Sequence, residues 1–443
     1  MELGKTKNLI KRFVNTKKME KLTFWIMINI FYILVGSYFS TVAYTISHTD
    51  FAIGLILLLI INIIIGIVIC KKGYCKKNII YIFMALIIIF GIIATIFAIN
   101  PKISLFGLEY RNEGLFSIMY YFSLMFLCSF VKGKHKKTII LFIFIIGIIN
   151  CIYGTIEVFG KPNAIKIAHP SENPDTTMIL EYTWSKGLLI NPNFFGTYML
   201  ICIAYAIGLF IDEKSKKMSI IYILLSALFM YGLLISNTVS VVVGLFFVLL
   251  VGFIYCIKNK TYKKFIILLI ALSAIFALAV VQEKTTLVKD ILKTGEETVE
   301  AAKGNVQDTY GTSRIYIWKN TLQIVPKYLL HGAGIDNFYY AFGDEPLYSP
   351  GRNTYYDKTH NEYLQILITE GIFCLITYLC MYAILTFRGI KSSFKNKQIY
   401  LILPIIGYLV QAFFNVSVIE VAPMFFIAMG LCMNNETKDN KQG

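Results

Sequence analysis

His360 stands in RNTYYDKTHNEYLQILITEG, residues 352–371, where a long polar stretch passes into an apolar run. A histidine fixed at the mouth of a membrane span, beneath a loop able to cover a substrate, suits a base acting on something lipid-linked. The order Thr359-His360-Asn361-Glu362 predicts a capping box, with Thr359 capping a helix and Glu362 reaching back to it. His360 would then sit in the first turn, where the positive end of the helix dipole keeps the ring a neutral base. A polar interfacial histidine without chemistry is the plain alternative. Gly371 lies eleven residues on, on nearly the same face and about 16 Å deeper, so it offers a smooth groove for a lipid tail or a neighbouring helix. Glu370 is a carboxylate inside an apolar run, which points to a functional or a paired role.

Cations come next, because arginine keeps its charge and grips phosphate with parallel donors. Arg314 opens SRIYIWKNTLQIVP and Arg111 sits in LFGLEYRNEGL. Two or three such groups at one membrane face could hold a diphosphate, whereas snorkelling to lipid headgroups is the ordinary use of a lone arginine. Lys186 and Arg352 are further candidates. Asn191 and Asn193, in GLLINPNFFGTYM, place two amides and a proline at the start of a span, where a simple turn is the alternative reading.

These residues need a scaffold, and composition names its class. With 57% hydrophobic and 15% charged residues among 443, the chain lacks the polar surface of a soluble globule. Apolar runs near the ~20 residues that cross a bilayer fall near 23–46, 51–70, 78–98, 114–131, 138–157, 188–211, 218–235, 239–257, 265–281, 361–387, 398–415 and 419–433. The expectation is an all-α integral membrane protein of about twelve transmembrane helices. Residues 1–281 would hold nine spans, 282–360 a large, partly helical extracytoplasmic catalytic loop before the tenth, and 361–443 the last three spans and a tail. In that loop Leu287, Val288, Ile291 and Leu292, and then Ile315, Trp318 and Leu322, recur at helical spacing. A glycine-punctuated turn, HGAGIDNF, follows.

Orientation follows from lysine. With both termini inside, the inner loops and ends carry about 28 of the 42 Lys+Arg and about 6 of the 26 Asp+Glu. That leaves the inner side near +22 and the outer near −6, within a formal +16. Positive charge so dispersed along short juxtamembrane loops reads anionic lipid and excludes nucleic acid as the partner. The first apolar run begins about 22 residues in and lacks a small-residue cleavage site, so it reads as a retained signal-anchor. Of nine cysteines, seven fall in expected spans and none in the large outer loops, which argues against a disulfide framework or a cysteine metal site.

An outer arginine before Trp and G-x-G, then H-N-x-x-L-Q and E-G at the head of a span, resembles the O-antigen ligase and polymerase superfamily. Here the pattern reads Arg314, Trp318, HGAGIDNF and HNEYLQILITEG, the last containing His360, Asn361, Gln365, Glu370 and Gly371. NPNFFGTYML is similar to the family's asparagine-rich start of a span. The motifs cover about residues 185–375.

The resemblance implies a multi-pass protein of the bacterial cytoplasmic membrane, with its site on the outer face. It implies an inverting glycosyltransferase without cofactor or metal, moving a glycan from a polyprenyl diphosphate carrier to an acceptor hydroxyl on a glycan, cell wall or protein. By that analogy His360 is the base and Arg314 steadies the departing diphosphate. The substrate-binding set would be Arg111, Lys186, Asn191, Asn193, Arg352, Asn361, Gln365, Glu370 and Gly371. One departure stands out: where the family carries an arginine after a mid-chain polar turn, SNTVSVVVG has Val239, and Arg111 and Lys186 are the replacements to weigh. Richness in Lys, Ile and Asn fits an AT-rich bacterial genome and favours surface polysaccharide, with ligase and polymerase both open. The rival class is a lipid-linked-sugar flippase or other transporter, for which Glu370 and the span asparagines Asn29, Asn62 and Asn150 speak.

Overall fold

The computed structural model describes residues 2–42, 45–75, 77–160, 184–189, 191–305, 307–343, 345–350 and 355–433. In chain order, the first part contains α1 (Glu2–Ser37), α2 (His48–Lys71), α3 (Ile79–Ile96), α4 (Pro101–Phe106), α5 (Leu115–Cys128) and α6 (Lys134–Phe159). Then come α7 (Pro192–Asp212), α8 (Lys216–Ile235), α9 (Val239–Lys258) and α10 (Tyr262–Val281). The long loop carries α11 (Leu287–Ala302) and α12 (Arg314–Tyr328), and the C-terminal part carries α13 (Glu362–Glu370), α14 (Ile372–Asn396), α15 (Leu403–Gln411) and α16 (Ala422–Met433). Among the described residues there is no strand, only an isolated bridge between Tyr348 and Tyr355. The chain is an all-helical, multi-pass membrane protein.

Nine of the described helices are long and apolar enough to cross a membrane: α1, α2, α3, α6 to α10, and α14. The other three expected spans form shorter apolar helices, at Leu115–Cys128, Ile399–Gln411 and Ala422–Met433. At ~1.5 Å per residue, α5 reaches roughly 21 Å, short of the ~30 Å hydrocarbon core. An apolar run alone does not separate a span from a helix enclosed by other helices. Enclosure is what α16 shows, since Ala422 to Cys432 are all buried.

Side chains are sorted outward rather than inward. On α2 Leu57, Ile60 and Ile64 face out, while Asn62 and Gly66 are buried. Asn62 accepts from Trp25 Nε1 at 2.7 Å and donates to Asn29 Oδ1 at 3.1 Å and to Ser123 Oγ at 2.9 Å. Polar groups therefore join α1, α2 and α5 where apolar contact alone gives little preference over lipid. At the centre runs α7, buried without a break from Phe194 to Ile211, and packed against α6, α8, α9 and α15.

The long loop is a structured cap with a small core of its own. Ile317, Tyr328, Phe338, Leu347 and Ile368 pack together over α13. Both helices expected in the loop are present as α11 and α12. The expected tenth span is not one rod from 361 to 387. It breaks into α13 and α14 at Gly371, whose φ of +87° and ψ of 173° belong to a region kept by glycine. A Cβ there would lie 2.7 Å from Leu330 O, and one on Gly332 would lie 2.2 Å from Thr369 O, so HGAG crosses the end of α13 in direct backbone contact. Ala333 N to Ile368 O at 2.9 Å and Ile372 N to Leu329 O at 2.8 Å secure the crossing. Gly371 is thus the junction between two helices, and the backbone of Leu330 and His331 occupies the side of the glycine where a smooth groove was expected.

Candidate active site

The cap of α13 differs from the expected one, and the difference determines how His360 is presented. Asn361, not Thr359, is the N-cap: its Oδ1 accepts from Leu364 N at 3.0 Å. Glu362 turns the other way and accepts from Tyr408 OH at 3.2 Å. Thr359 instead brackets the histidine, its Oγ1 donating to Asn361 O at 2.7 Å and accepting from Asn361 N at 3.2 Å. Gln365 Oε1 accepts from Thr359 N at 2.9 Å, and Trp318 Nε1 donates to Thr359 O at 3.0 Å. His360 is therefore one residue ahead of the helix, with φ +53°. Such a conformation is strained outside glycine but more tolerable for histidine than for bulkier residues.

That placement leaves the imidazole largely buried, with no protein hydrogen bond to either ring nitrogen among the described residues. Burial first, and then the Arg314 guanidinium, push its pKa down to about 4, with Asp357 opposing and Arg111 adding. The expected neutral imidazole is present, for a different reason: desolvation and two cations do what the helix dipole was expected to do.

Arg314 opens α12. Its Nε donates to Phe414 O at 3.0 Å, and its Nη1 donates to Gly311 O at 3.2 Å and Thr312 Oγ1 at 2.8 Å. It has no carboxylate partner among the described residues. A half-buried guanidinium held by neutral oxygens keeps a full charge to offer.

Arg111 arrives from the α4–α5 loop. Its Nε donates to Asp357 Oδ2 at 2.7 Å, and Tyr110 OH donates to the same oxygen at 3.2 Å. Burial works against the Asp357 carboxylate, but Arg111 holds its pKa below the usual range. Among the described residues only Nε is used, so both terminal amino groups of Arg111 are open to another ligand. Its guanidinium also lies 5.8 Å from the Phe194 ring centroid, which ties it to the start of α7.

A second ion pair sets the two loops in register. Lys358 Nζ lies 2.5 Å from Asp336 Oδ1, and Asp336 Oδ2 accepts from Leu108 N at 2.7 Å. Asn337 Oδ1 accepts from Asn100 N at 2.8 Å. Beneath α13, Lys358, Gln365, Glu370, Glu113 and Glu362 line a cavity of about 50 Å³. Glu370 Oε2 accepts from Cys374 Sγ at 3.2 Å, so it belongs to this interior and not to the surface with His360.

The remaining candidates are placed as follows. Asn191 caps α7, accepting from Asn193 N at 2.8 Å, and Asn193 O accepts from Thr197 Oγ1. Lys186 lies in a turn gathered on Glu157, whose Oε2 accepts from the backbone N of Lys186 and Gly187. Arg352 lies outside the described residues. Asp357, Asp336, Lys358 and Tyr110 were not singled out from sequence; the one available signal was a charged pair, Asp357-Lys358, one residue short of a histidine.

Residues 221–379 match a family model described as O-antigen ligase. Over that stretch the chain is similar to the O-antigen ligase family. No curated protein matches the chain. The matched stretch contains Arg314, Trp318, His360, Asn361, Gln365 and Gly371, and so bears out the motif resemblance there. Arg111 reaches His360 from outside the matched domain.

Proposed function

We propose that this protein transfers a glycan from a polyprenyl diphosphate carrier to an acceptor hydroxyl at the outer face of the cytoplasmic membrane, as a ligase or polymerase of surface polysaccharide. The observation that carries the reading is an Arg314 without a carboxylate partner among the described residues, whose charge acts together with that of Arg111 on a neutral histidine with no hydrogen bond to its ring nitrogens among those residues. A base beside two fixed cations suits a reaction that removes a proton at one end and releases a polyanion at the other.

A ring nitrogen of His360 takes the acceptor hydroxyl proton. The oxygen attacks the anomeric carbon from the face opposite the carrier, and the bond from that carbon to the diphosphate oxygen breaks with inversion. The polyprenyl diphosphate leaves with the bonding electrons, its charge held by Arg314 and by the terminal amino groups of Arg111. Two guanidiniums supply the charge that a metal ion supplies elsewhere, so turnover should persist in EDTA. In this assignment Arg111 fills the role left open by Val239. The transporter reading loses its polar passage, since Asn29 and Asn62 are spent on helix packing and Asn150 Oδ1 accepts from Leu188 N at 3.1 Å.

The test is a reconstituted assay with polyprenyl-diphosphate-linked glycan from the source strain, EDTA present, comparing wild type with His360→Ala. Carrier release should fall roughly 10²- to 10⁴-fold while expression is retained. Equal release by both proteins, or carriage of intact lipid across the vesicle, would remove the reading. A product ladder indicates a polymerase and a single product a ligase.

A further inference from the structure

Beside the reaction centre lies a larger cleft of about 650 Å³, inside the ~300–1,000 Å³ range of ligand sites. It lies between the start of α2, the α4 region and the loop after α12, and its walls are aromatic with a polar rim. We infer that this cleft holds an uncharged stretch of the glycan, several sugar rings away from the bond being made. This inference rests on the transferase reading and adds to it the place and chemistry of the sugar chain.

Three observations converge. First, Tyr339, Tyr340 and Tyr355 form a contiguous cluster, with Tyr339 4.9 Å from Tyr340 and 4.7 Å from Tyr355 between ring centroids, at 80° and 67°. Edge-on contact presents flat ring faces at different angles along one wall. A pyranose ring has an apolar C–H face and a rim of hydroxyls, and tyrosine matches it with an apolar body and a polar tip. Second, the lining includes the amides of Asn100 and Asn112; Asn100 Oδ1 accepts from Ile103 N and Asn112 Nδ2 donates to Glu109 O, each at 3.3 Å, so among the described residues the Asn100 Nδ2 donor and the Asn112 Oδ1 acceptor are the ends turned to a hydroxyl. Among the lining residues Lys102 is offset by Glu109, so a polyanion gains nothing there, and the polar rim disfavours a lipid tail. Third, Tyr110 belongs to both places: it lines the cleft, and its hydroxyl donates to Asp357, the partner of Arg111 and three residues from His360. A chain lying over Tyr110 thus runs straight towards the diphosphate site.

Donor and acceptor glycans share this chemistry, and the experiment separates them. The probe is oligosaccharide released by mild acid from the strain's own lipid-linked pool, titrated into the full-length protein in nanodiscs. It should bind to wild type and to His360→Ala alike, and lose about tenfold in affinity in Tyr339→Ala and again in Tyr355→Ala, for a stacking contribution near 1.4 kcal/mol per ring. Tyr339→Trp, which keeps a ring face, should restore it. In turnover the same alanine variants should raise KM for a multi-sugar substrate more than for a single-sugar one. A rise confined to donor length assigns the cleft to the donor, and one confined to acceptor length assigns it to the acceptor.

Unchanged oligosaccharide binding in both alanine variants, or displacement of the sugar by sugar-free polyprenyl phosphate, would overturn the assignment. An equal rise in KM for long and short substrates would reduce the tyrosines to a structural role and overturn it as well. Because binding is read without turnover, an inactive wild type that still binds sugar through Tyr339 would sink the transferase reading and leave the cleft standing.

Discussion

At the scale of single residues, the site rests on one imidazole being neutral for reasons that can be titrated. A pKa pushed down to about 4 keeps His360 unprotonated across the physiological range. Its protonated form cannot accept the acceptor's proton, so kcat/KM should stay flat from pH 8 to about 5 and fall towards a midpoint near 4. Binding a diphosphate offsets the charges of Arg314 and Arg111, which lower the pKa, so the acid limb of kcat should lie at higher pH than that of kcat/KM. Paired pH profiles check this, and coincident limbs would mean that the leaving group does not sit beside the two arginines. Arg314→Lys is the companion experiment: it keeps the charge but loses the fork that reaches Phe414 O and Thr312 at once. Turnover should drop about 10²-fold, the scale of losing one preorganised donor.

At the scale of elements, the break between α13 and α14 turns a span into a short platform and a separate crossing helix. Gly371→Ala meets both an unfavourable backbone conformation and Leu330 O at 2.7 Å. It should lose about 1–3 kcal/mol of stability, seen as a lower unfolding temperature in detergent, and should displace His360 enough to abolish transfer. The sequence shows H-N-x-x-L-Q and the glycine, but the same letters serve a continuous helix with a packing groove and a helix that stops there. Only the crossing segment, Gly332 against Thr369 O, distinguishes the two, and it comes from nearly forty residues upstream. The cap was misread for a similar reason. Thr359 and Asn361 are both good caps, and the choice is made by contacts from α12 and by Ala412, whose carbonyl accepts from Glu362 N at 2.9 Å. Asp357 was illegible because its partner, Arg111, is remote in sequence.

At the scale of the molecule, class and membrane character were legible because they depend on sums of apolar residues and not on pairs. The count of spans was less so, since enclosed helices such as α16 are as apolar as lipid-facing ones. The orientation argued from lysine has a direct test in a background with Cys70 and Cys75 replaced by serine. Glu345→Cys should react with a membrane-impermeant maleimide on intact cells, and Lys214→Cys only after lysis; both positions are exposed in the structure. The reverse pattern would put the His360 site on the cytoplasmic side and end the surface-polysaccharide reading.

The full enclosure of α7 has a consequence for how the protein comes into being. Translation delivers α7 near the middle of the chain, while α8, α9 and α15, which wrap it, emerge afterwards. For that interval Tyr198 already has its acceptor, Ile143 O on α6, whereas Thr197 lacks Asn415, whose Nδ2 donates to its Oγ1 at 3.4 Å in the finished fold. Arg111, made earlier, has no Asp357 to orient it until the cap loop is synthesised. The proposed site is therefore incomplete until the C-terminal part is made, since Arg314 lacks the Phe414 carbonyl that holds its Nε until then.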